Sequence, residues 1–268
     1  ANLFSKKYCL YVNSGSSANL LAIFGLIESE TLSKEDKVIV PALSWSTTVF
    51  PLVQAGLIPV FCDQSYADFN IDLDQVEEQA KREDVKALML IHTYGLAANM
   101  DRVMDICKKH NLVLIEDTCE SMGAKWSEKF CGSFGTVSTF STYFSHHICT
   151  LEGGIVLTSD SSLNQIYRSM RSHGWAREFH SEDDLFYEYK NHDPSFLFPH
   201  TGFNIRISEP QSKIGIEQLK LLPSILDKRI VAGQEYCNRI NKSSQMKTYH
   251  IAKEAKCVFF GLPLLLPE

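Results

Sequence analysis

The sequence predicts an α/β protein, a mostly parallel sheet with flanking helices. Short apolar runs alternate with amphipathic stretches along the chain, as strands alternate with crossover helices. The helical stretches also follow the apolar runs at the spacing a βαβ unit requires, so functional groups are expected at the carboxyl ends of the strands. With 268 residues, 44% of them hydrophobic, the chain can bury a sizeable core.

The first helix is expected over residues 17–27, an apolar stretch behind the serine-rich loop Asn13-Ser14-Gly15-Ser16-Ser17. Strands follow at 37–41 and 57–63, both short and rich in Val, Ile and Phe. A helix at 72–81, a strand at 85–92, a helix at 101–110 and a strand at 112–117 continue the alternation. Strands at 136–141 and 155–159 and a helix at 162–172 complete it. A long helical pattern at 209–240 closes the domain, with Pro223 as an expected kink because proline lacks the backbone donor. Residues 257–262 read as strand-like, and Gly261 onward as the start of something smaller. The expected division is a large domain at 1–225 and part of a smaller C-terminal α/β domain at 226–268. The chain opens on Ala1 and stops at Pro267-Glu268, so both ends read as cut from a longer protein.

A net charge of -6 supplies no basic patch for nucleic acid, and no run of about 18 apolar residues is present to span a bilayer. The eight cysteines are scattered, without a Cys-x-x-Cys pair, which fits reduced thiols in a cytoplasm.

Several short motifs bear chemistry. The loop at Gly15 and Ser16 opens a helix and offers its backbone N–H groups to an anion such as a phosphate; an ordinary serine cap is the plainer alternative. Asp117 ends an apolar strand, where a carboxylate can hold a protonated ring nitrogen or simply cap a helix. Glu120 can reach a ring hydroxyl or complete a capping box. Trp45 can lay its indole on an aromatic ring or pack in the core, and Ser141 can add a hydroxyl to the phosphate or face solvent. His146 and His147 stand between a hydroxyl-rich strand and a Glu-Gly-Gly turn. Adjacent histidines in extended chain point apart and no carboxylate completes a familiar site, so no metal is expected. A single catalytic histidine fits better, since imidazole moves protons near neutral pH. His173 can line the same pocket or end a helix before Gly174.

Together with His92-Thr93-Tyr94-Gly95, Arg171-Ser172-His173-Gly174 and Gly202-Phe203-Asn204-Ile205-Arg206, these residues resemble the DegT/DnrJ/EryC1/StrS sugar aminotransferase family from Tyr11 to about Leu265. The resemblance implies the aspartate-aminotransferase-like fold (fold type I of pyridoxal phosphate enzymes). It places the cofactor phosphate on Gly15, Ser16 and Ser141, the ring under Trp45 and its nitrogen on Asp117, with Glu120 near the ring hydroxyl. Asn204 is implied to reach the cofactor of a second subunit in a homodimer with shared active sites. Aminotransferases of this family carry, where His146 stands, the lysine that bonds to the cofactor. Histidine there implies 3-dehydratases of nucleotide-linked 4-keto-6-deoxy sugars, here read as GDP-linked, making deoxysugars of lipopolysaccharide O-antigen. It further implies pyridoxal and pyridoxamine phosphate held without a covalent bond, glutamate as amino donor, His146 as the proton-transfer residue, and Ser145 and His173 beside the substrate. The related iron–sulfur dehydrases have clustered cysteines after the His-Gly element; residues 173–204 here have none. The competing expectations are a plain sugar aminotransferase using Lys125 or Lys213, and a cofactor-binding remnant without turnover.

Overall fold

A computed structural model describes residues 1–181, 183–242 and 246–266. Pro267 and Glu268, the expected cut end, lie outside the described residues. In chain order the elements are β1 (Tyr8–Val12), α1 (Gly15–Glu28), β2 (Lys37–Pro41), α2 (Ser46–Gln54), β3 (Ile58–Cys62), α3 (Leu73–Ala80), β4 (Val85–Ile91), α4 (Met100–His110) and β5 (Val113–Asp117). Then come β6 (Lys125–Trp126), β7 (Lys129–Phe130), β8 (Val137–Ser141), β9 (Gly154–Thr158), α5 (Ser161–Arg171), α6 (Asp184–Tyr189), α7 (Glu209–Ile240) and β10 (Ala255–Lys256).

The main sheet has the order β1-β9-β8-β5-β4-β2-β3. Strands β3, β2, β4, β5 and β8 run parallel. Strand β9 is antiparallel to β8, and β1 is antiparallel to β9. Side chains alternate between two apolar layers. Val38, Val40, Ala87, Met89, Ile115 and Val137 pack against α1, α2 and α5 through Leu21, Leu52 and Tyr167. Ile39, Leu88, Leu90, Leu114 and Phe140 pack against α3, α4 and α7 through Val76, Val103 and Leu222. At about 1.5–3 kcal/mol per fully buried large apolar side chain, these layers hold the sheet rigid beneath whatever binds at its edge.

The expected strands and crossover helices are present with ends shifted by a few residues. Pro223 does not divide α7, which runs through it as one element of 32 residues. Six elements escape sequence reading, among them the two-residue strands β6, β7 and β10 and the short helix α6. Strand β1 is only five residues long, and α2, Ser-Thr-Thr-Val-Phe-Pro-Leu-Val-Gln, carries four β-branched residues and a proline that read against a helix. Residues 257–262 join neither sheet; Val258 and Phe260 instead donate their N–H groups to Gly95 and Tyr94 carbonyls at 2.9 Å. Residue 225 falls inside α7, and Leu222, Leu226 and Val258 share one apolar cluster. No helix among the described residues is long and apolar enough to cross a membrane.

Candidate functional site

Alternation on β5 decides what its two carboxylates do. Asp117 follows Ile115 to the face covered by α1 and α2, whereas Glu116 follows Leu114 to the other. Asp117 is buried, and its Oδ2 accepts from Asn19 Nδ2 and Thr48 Oγ1, both at 2.9 Å. Its Oδ1 accepts the Cys119 N–H at 3.1 Å. Asn19 is itself oriented by the Thr139 hydroxyl, which donates to Asn19 Oδ1 at 2.5 Å, and by the Thr47 carbonyl, which accepts at 3.1 Å. Asp117 is therefore fixed by residues of three elements as an acceptor at the carboxyl edge.

Glu116 is fully buried and accepts from His92 Nε2 at 3.1 Å and from the N–H groups of Gly132, Phe134 and Gly135 at 2.6–2.8 Å. Burial alone would raise its carboxyl; the His92 and backbone donors outweigh burial and hold it below the ordinary range. Because His92 Nδ1 takes the Ala98 N–H at 3.2 Å, Nε2 is the protonated nitrogen that donates to Glu116. Lys6 donates to the Gly135 carbonyl beside this group.

Helix α1 starts at Gly15 because Ser14 is extended and its Oγ accepts the Ser17 N–H at 3.0 Å. A Cβ on Gly15 would lie 2.6 Å from Ser141 Cβ, so glycine lets the helix end close onto the end of β8. First-turn N–H groups lack intrahelical acceptors. With the Ser16 and Ser141 hydroxyls they form an anion-receptive corner. Ser16 Oγ donates to Thr47 Oγ1 at 3.2 Å, joining that corner to the start of α2. Trp45, immediately before α2, is 74% exposed, which removes the core-packing alternative.

The two histidines lie on the loop between β8 and β9. Its base is closed by the Thr142 N–H on Gly153 O at 2.9 Å and the Thr150 N–H on Thr142 O at 2.8 Å. The hydroxyls of Tyr11, Thr142 and Thr150 join one another at 2.6–2.9 Å across that base. Ser145 is exposed, His146 is half-buried and His147 is buried. His147 Nε2 donates to the Val258 carbonyl at 3.3 Å, and burial, reinforced by Arg229, lowers this imidazole to about 4. Burial also pushes His146 below its ordinary value; Asp117 and the backbone at Tyr143 oppose that, and Arg229 adds to it. Its Nδ1 is buried without a hydrogen-bond partner.

Glu120 Oε2 accepts the Tyr94 N–H at 2.8 Å and so braces a turn in which Tyr94 has φ 53°. Burial raises its carboxyl, with Asp117 adding and the Tyr94 N–H opposing. Asn204 and His173 form a separate, exposed group. Arg206 Nη2 lies 3.2 Å from Asn204 Oδ1 and 3.3 Å from His173 Nε2. This group borders the anion corner through the backbone, where the Asn13 N–H donates to Ile205 O at 2.9 Å. Gly15, Ser16, Ser141 and Asp117 thus converge around α1, while His146 approaches from its own loop. Sequence reading missed Asn19, Thr48, Glu116 and His92 as supports. The available signal was a polar Asn within the apolar run Ala18-Asn19-Leu20-Leu21-Ala22.

A helix N-terminus closing on a strand serine, beside a buried acceptor at the next strand end, is how the pyridoxal phosphate-dependent aminotransferase fold presents its cofactor site. The chain belongs to the DegT/DnrJ/EryC1/StrS aminotransferase family, whose model matches residues 1–268. It is 41% identical over 278 residues to the GDP-4-keto-6-deoxy-D-mannose 3-dehydratase of Escherichia coli O55:H7, covering 100% of this chain and 69% of that protein. It is 43% identical over 234 residues to the protein of the same name from Yersinia pseudotuberculosis, covering 85% of this chain and 59% of the relative. Among solved structures it is similar to GDP-4-keto-6-deoxymannose-3-dehydratase with a trapped PLP-glutamate geminal diamine. The TM-score is 0.92 at 35% identity, over 100% of this chain and 70% of that one. The chain thus spans about three-fifths to seven-tenths of the length of these relatives. Its residues fit the cofactor: Asp117 is pre-set as an acceptor by three donors, and Gly15 leaves the room against Ser141 that a Cβ would fill.

Proposed function

We propose that this chain performs C3 dehydration of a nucleotide-linked 4-keto-6-deoxy sugar, GDP-4-keto-6-deoxymannose. Pyridoxal and pyridoxamine phosphate serve without a covalent bond to the protein, and glutamate is the amino donor. The carrying observation is His146, a half-buried imidazole with a depressed proton affinity where the family's aminotransferases have their lysine. When bound, the cofactor supplies an exchangeable amino group and an electron sink. The residues do the rest. Gly15, Ser16 and Ser141 hold the phosphate, and Asp117, steadied by Asn19 and Thr48, accepts from the ring nitrogen. Trp45 covers one ring face and excludes water. Neutral His146 takes a proton at Nε2 and returns it to the leaving 3-hydroxyl. Glu120 borders the ring hydroxyl, and Ser145 and His173 contact substrate. Asn204 reaches the cofactor of the second subunit in a homodimer with shared sites.

The related names support the reading: the aligned relatives are 3-dehydratases, and the solved structure holds a PLP-glutamate species. The lysines an aminotransferase would need are elsewhere. Lys125 pairs with Glu128 at 3.0 Å on the small sheet, and Lys213 is exposed near the start of α7. The proposed setting is O-antigen deoxysugar synthesis in the cytoplasm, where the eight free cysteines stay reduced. The division into a large domain at 1–225 and the first part of a smaller one at 226–268 also stands as a proposal.

The test is His146→Asn. Dehydration should fall at least about 100-fold, the scale of a lost acid–base group, while absorbance titration still shows cofactor binding. Borohydride followed by mass analysis should find no cofactor bonded to the wild-type chain. Retained dehydration in His146→Asn would take the proton-transfer role from His146, and a stoichiometric lysine adduct would return the chain to the aminotransferases.

A further inference from the structure

Among the described residues, the buried nitrogen of the His146 ring, Nδ1, is not held by a hydrogen bond. The nearby Tyr143 carbonyl already accepts His146's own N–H at 3.0 Å. His92 shows the contrast, with both ring nitrogens engaged. A group that moves protons must still keep its orientation, since a misplacement of about 1 Å can cost roughly 100-fold in rate. What touches His146 is aromatic. The Phe260 ring lies 5.1 Å from it, inclined at 44°, and Tyr143 meets it edge-on at 6.2 Å.

Phe260 is itself held on two sides. Its N–H donates to Tyr94 O, and the Val258 N–H donates to Gly95 O, both at 2.9 Å. From α7, Arg229 Nη1 donates to Phe259 O at 3.0 Å, and Gly233 lets the helix close in, since a Cβ there would lie 2.2 Å from the Phe259 ring. The Tyr94 turn is in turn braced by Glu120, three residues beyond Asp117. His147 ties the histidine loop to the same stretch through Val258 O.

We infer that Phe260 is a positioning residue for His146: the stretch 257–261, hung between the Tyr94–Gly95 turn and α7, orients the imidazole by ring packing where its Nδ1 has no hydrogen bond. The inference rests on the reading of His146 as the proton-transfer group. It places the C-terminal end of the described chain in control of a residue more than one hundred positions earlier. It also joins the two halves of the site, because the turn that carries Phe260 is braced by Glu120 on the Asp117 side. The charged groups acting on the imidazole are Asp117, which favours its protonated form, and Arg229, which opposes it.

The test uses the full chain with isotope-labelled histidine, comparing wild type, Phe260→Leu and Phe260→Tyr. Leucine keeps the apolar volume needed for folding, and the unfolding midpoint checks that it does. In Phe260→Leu the His146 ring signals should broaden or shift and its titration move toward the ordinary histidine value, with cofactor affinity within about 2-fold of wild type. The kcat for dehydration should fall about 10-fold with KM little changed, the pattern of lost orientation. Phe260→Tyr, which restores an aromatic ring, should recover most of both. An unchanged His146 titration and line width in a folded Phe260→Leu chain overturns the inference. The underlying reading fails separately: if His146→Asn keeps turnover, His146 is not the acid–base group, whereas His146 ring signals that broaden in Phe260→Leu and sharpen again in Phe260→Tyr still identify Phe260 as what orients the ring.

Discussion

His146 and His147 are neighbours in sequence with opposite duties, and their surroundings make them so. One side chain approaches the pocket; the other is buried and tied to Val258 O. His147 enters the core neutral, with a proton affinity near 4 against about 6.5 in an unfolded chain. Between those values the unfolded state binds the extra proton, so stability is complete above about pH 6.5 and declines as pH falls toward 4. A shift of this size corresponds to about 3 kcal/mol lost across that window, at 1.36 kcal/mol per pH unit. Denaturant unfolding at pH 7 and pH 4.5 checks it against His147→Gln, whose amide can still donate to Val258 O but does not titrate. The wild type should lose more stability than the variant, and equal losses would remove His147 from the account. Sequence reading reached the pair and chose a single catalytic histidine, but the buried role of His147 depends on a carbonyl 111 positions away. The same limit explains Asp117. Its place at a strand end was legible from Glu-Asp closing an apolar run, whereas its contacts with Asn19 and Thr48 join positions 98 and 69 apart.

At the scale of elements, the site depends on how closely α1 approaches β8. Gly15 is the point of contact, and Gly15→Ala would drive a Cβ to 2.6 Å from Ser141 Cβ and 3.2 Å from Ser141 Cα. The second of these is backbone, so the helix end must retreat. Overpacking of this kind costs about 1–3 kcal/mol. The retreat also separates the first-turn N–H groups from the Ser141 hydroxyl, so cofactor affinity should fall by about 10-fold or more, an energetic loss of roughly 1.4 kcal/mol. Absorbance titration with pyridoxal phosphate measures this directly, and an unchanged affinity would show that the phosphate sits elsewhere. The helix was legible from its apolar run, and the loop from its serines. The close approach was not, because Gly15 and Ser141 meet only through the sheet. Helix α2 was hidden for a local reason, since Thr47, Thr48, Val49 and Pro51 all argue against helix until Trp45 is fixed before its first turn and the helix packs Leu52 into the core.

For the whole molecule, the parallel strands gather the anion-receptive corner, the Asp117 carboxylate and the histidine loop at one edge, yet Asn204, His173 and Arg206 stand outside that cluster. All three are exposed, and Arg206 Nη2 lies 3.2 Å from Asn204 Oδ1 and 3.3 Å from His173 Nε2. Residues that face outward beside an anion corner can serve a site on a second subunit, which is the proposed role of Asn204 in a two-fold dimer. Mixing variants decides it. His146→Asn and Asn204→Ala should each be inactive or nearly so as pure dimers. Combined in equal amounts after reversible dissociation, half the dimers carry both variants, and with shared sites each mixed dimer has one site lacking neither residue. The mixture should then regain about a quarter of wild-type activity, because one of the two sites in half of the isologous dimers is intact. If each site is built within one chain, every site in the mixture keeps one of the two defects, and no activity returns.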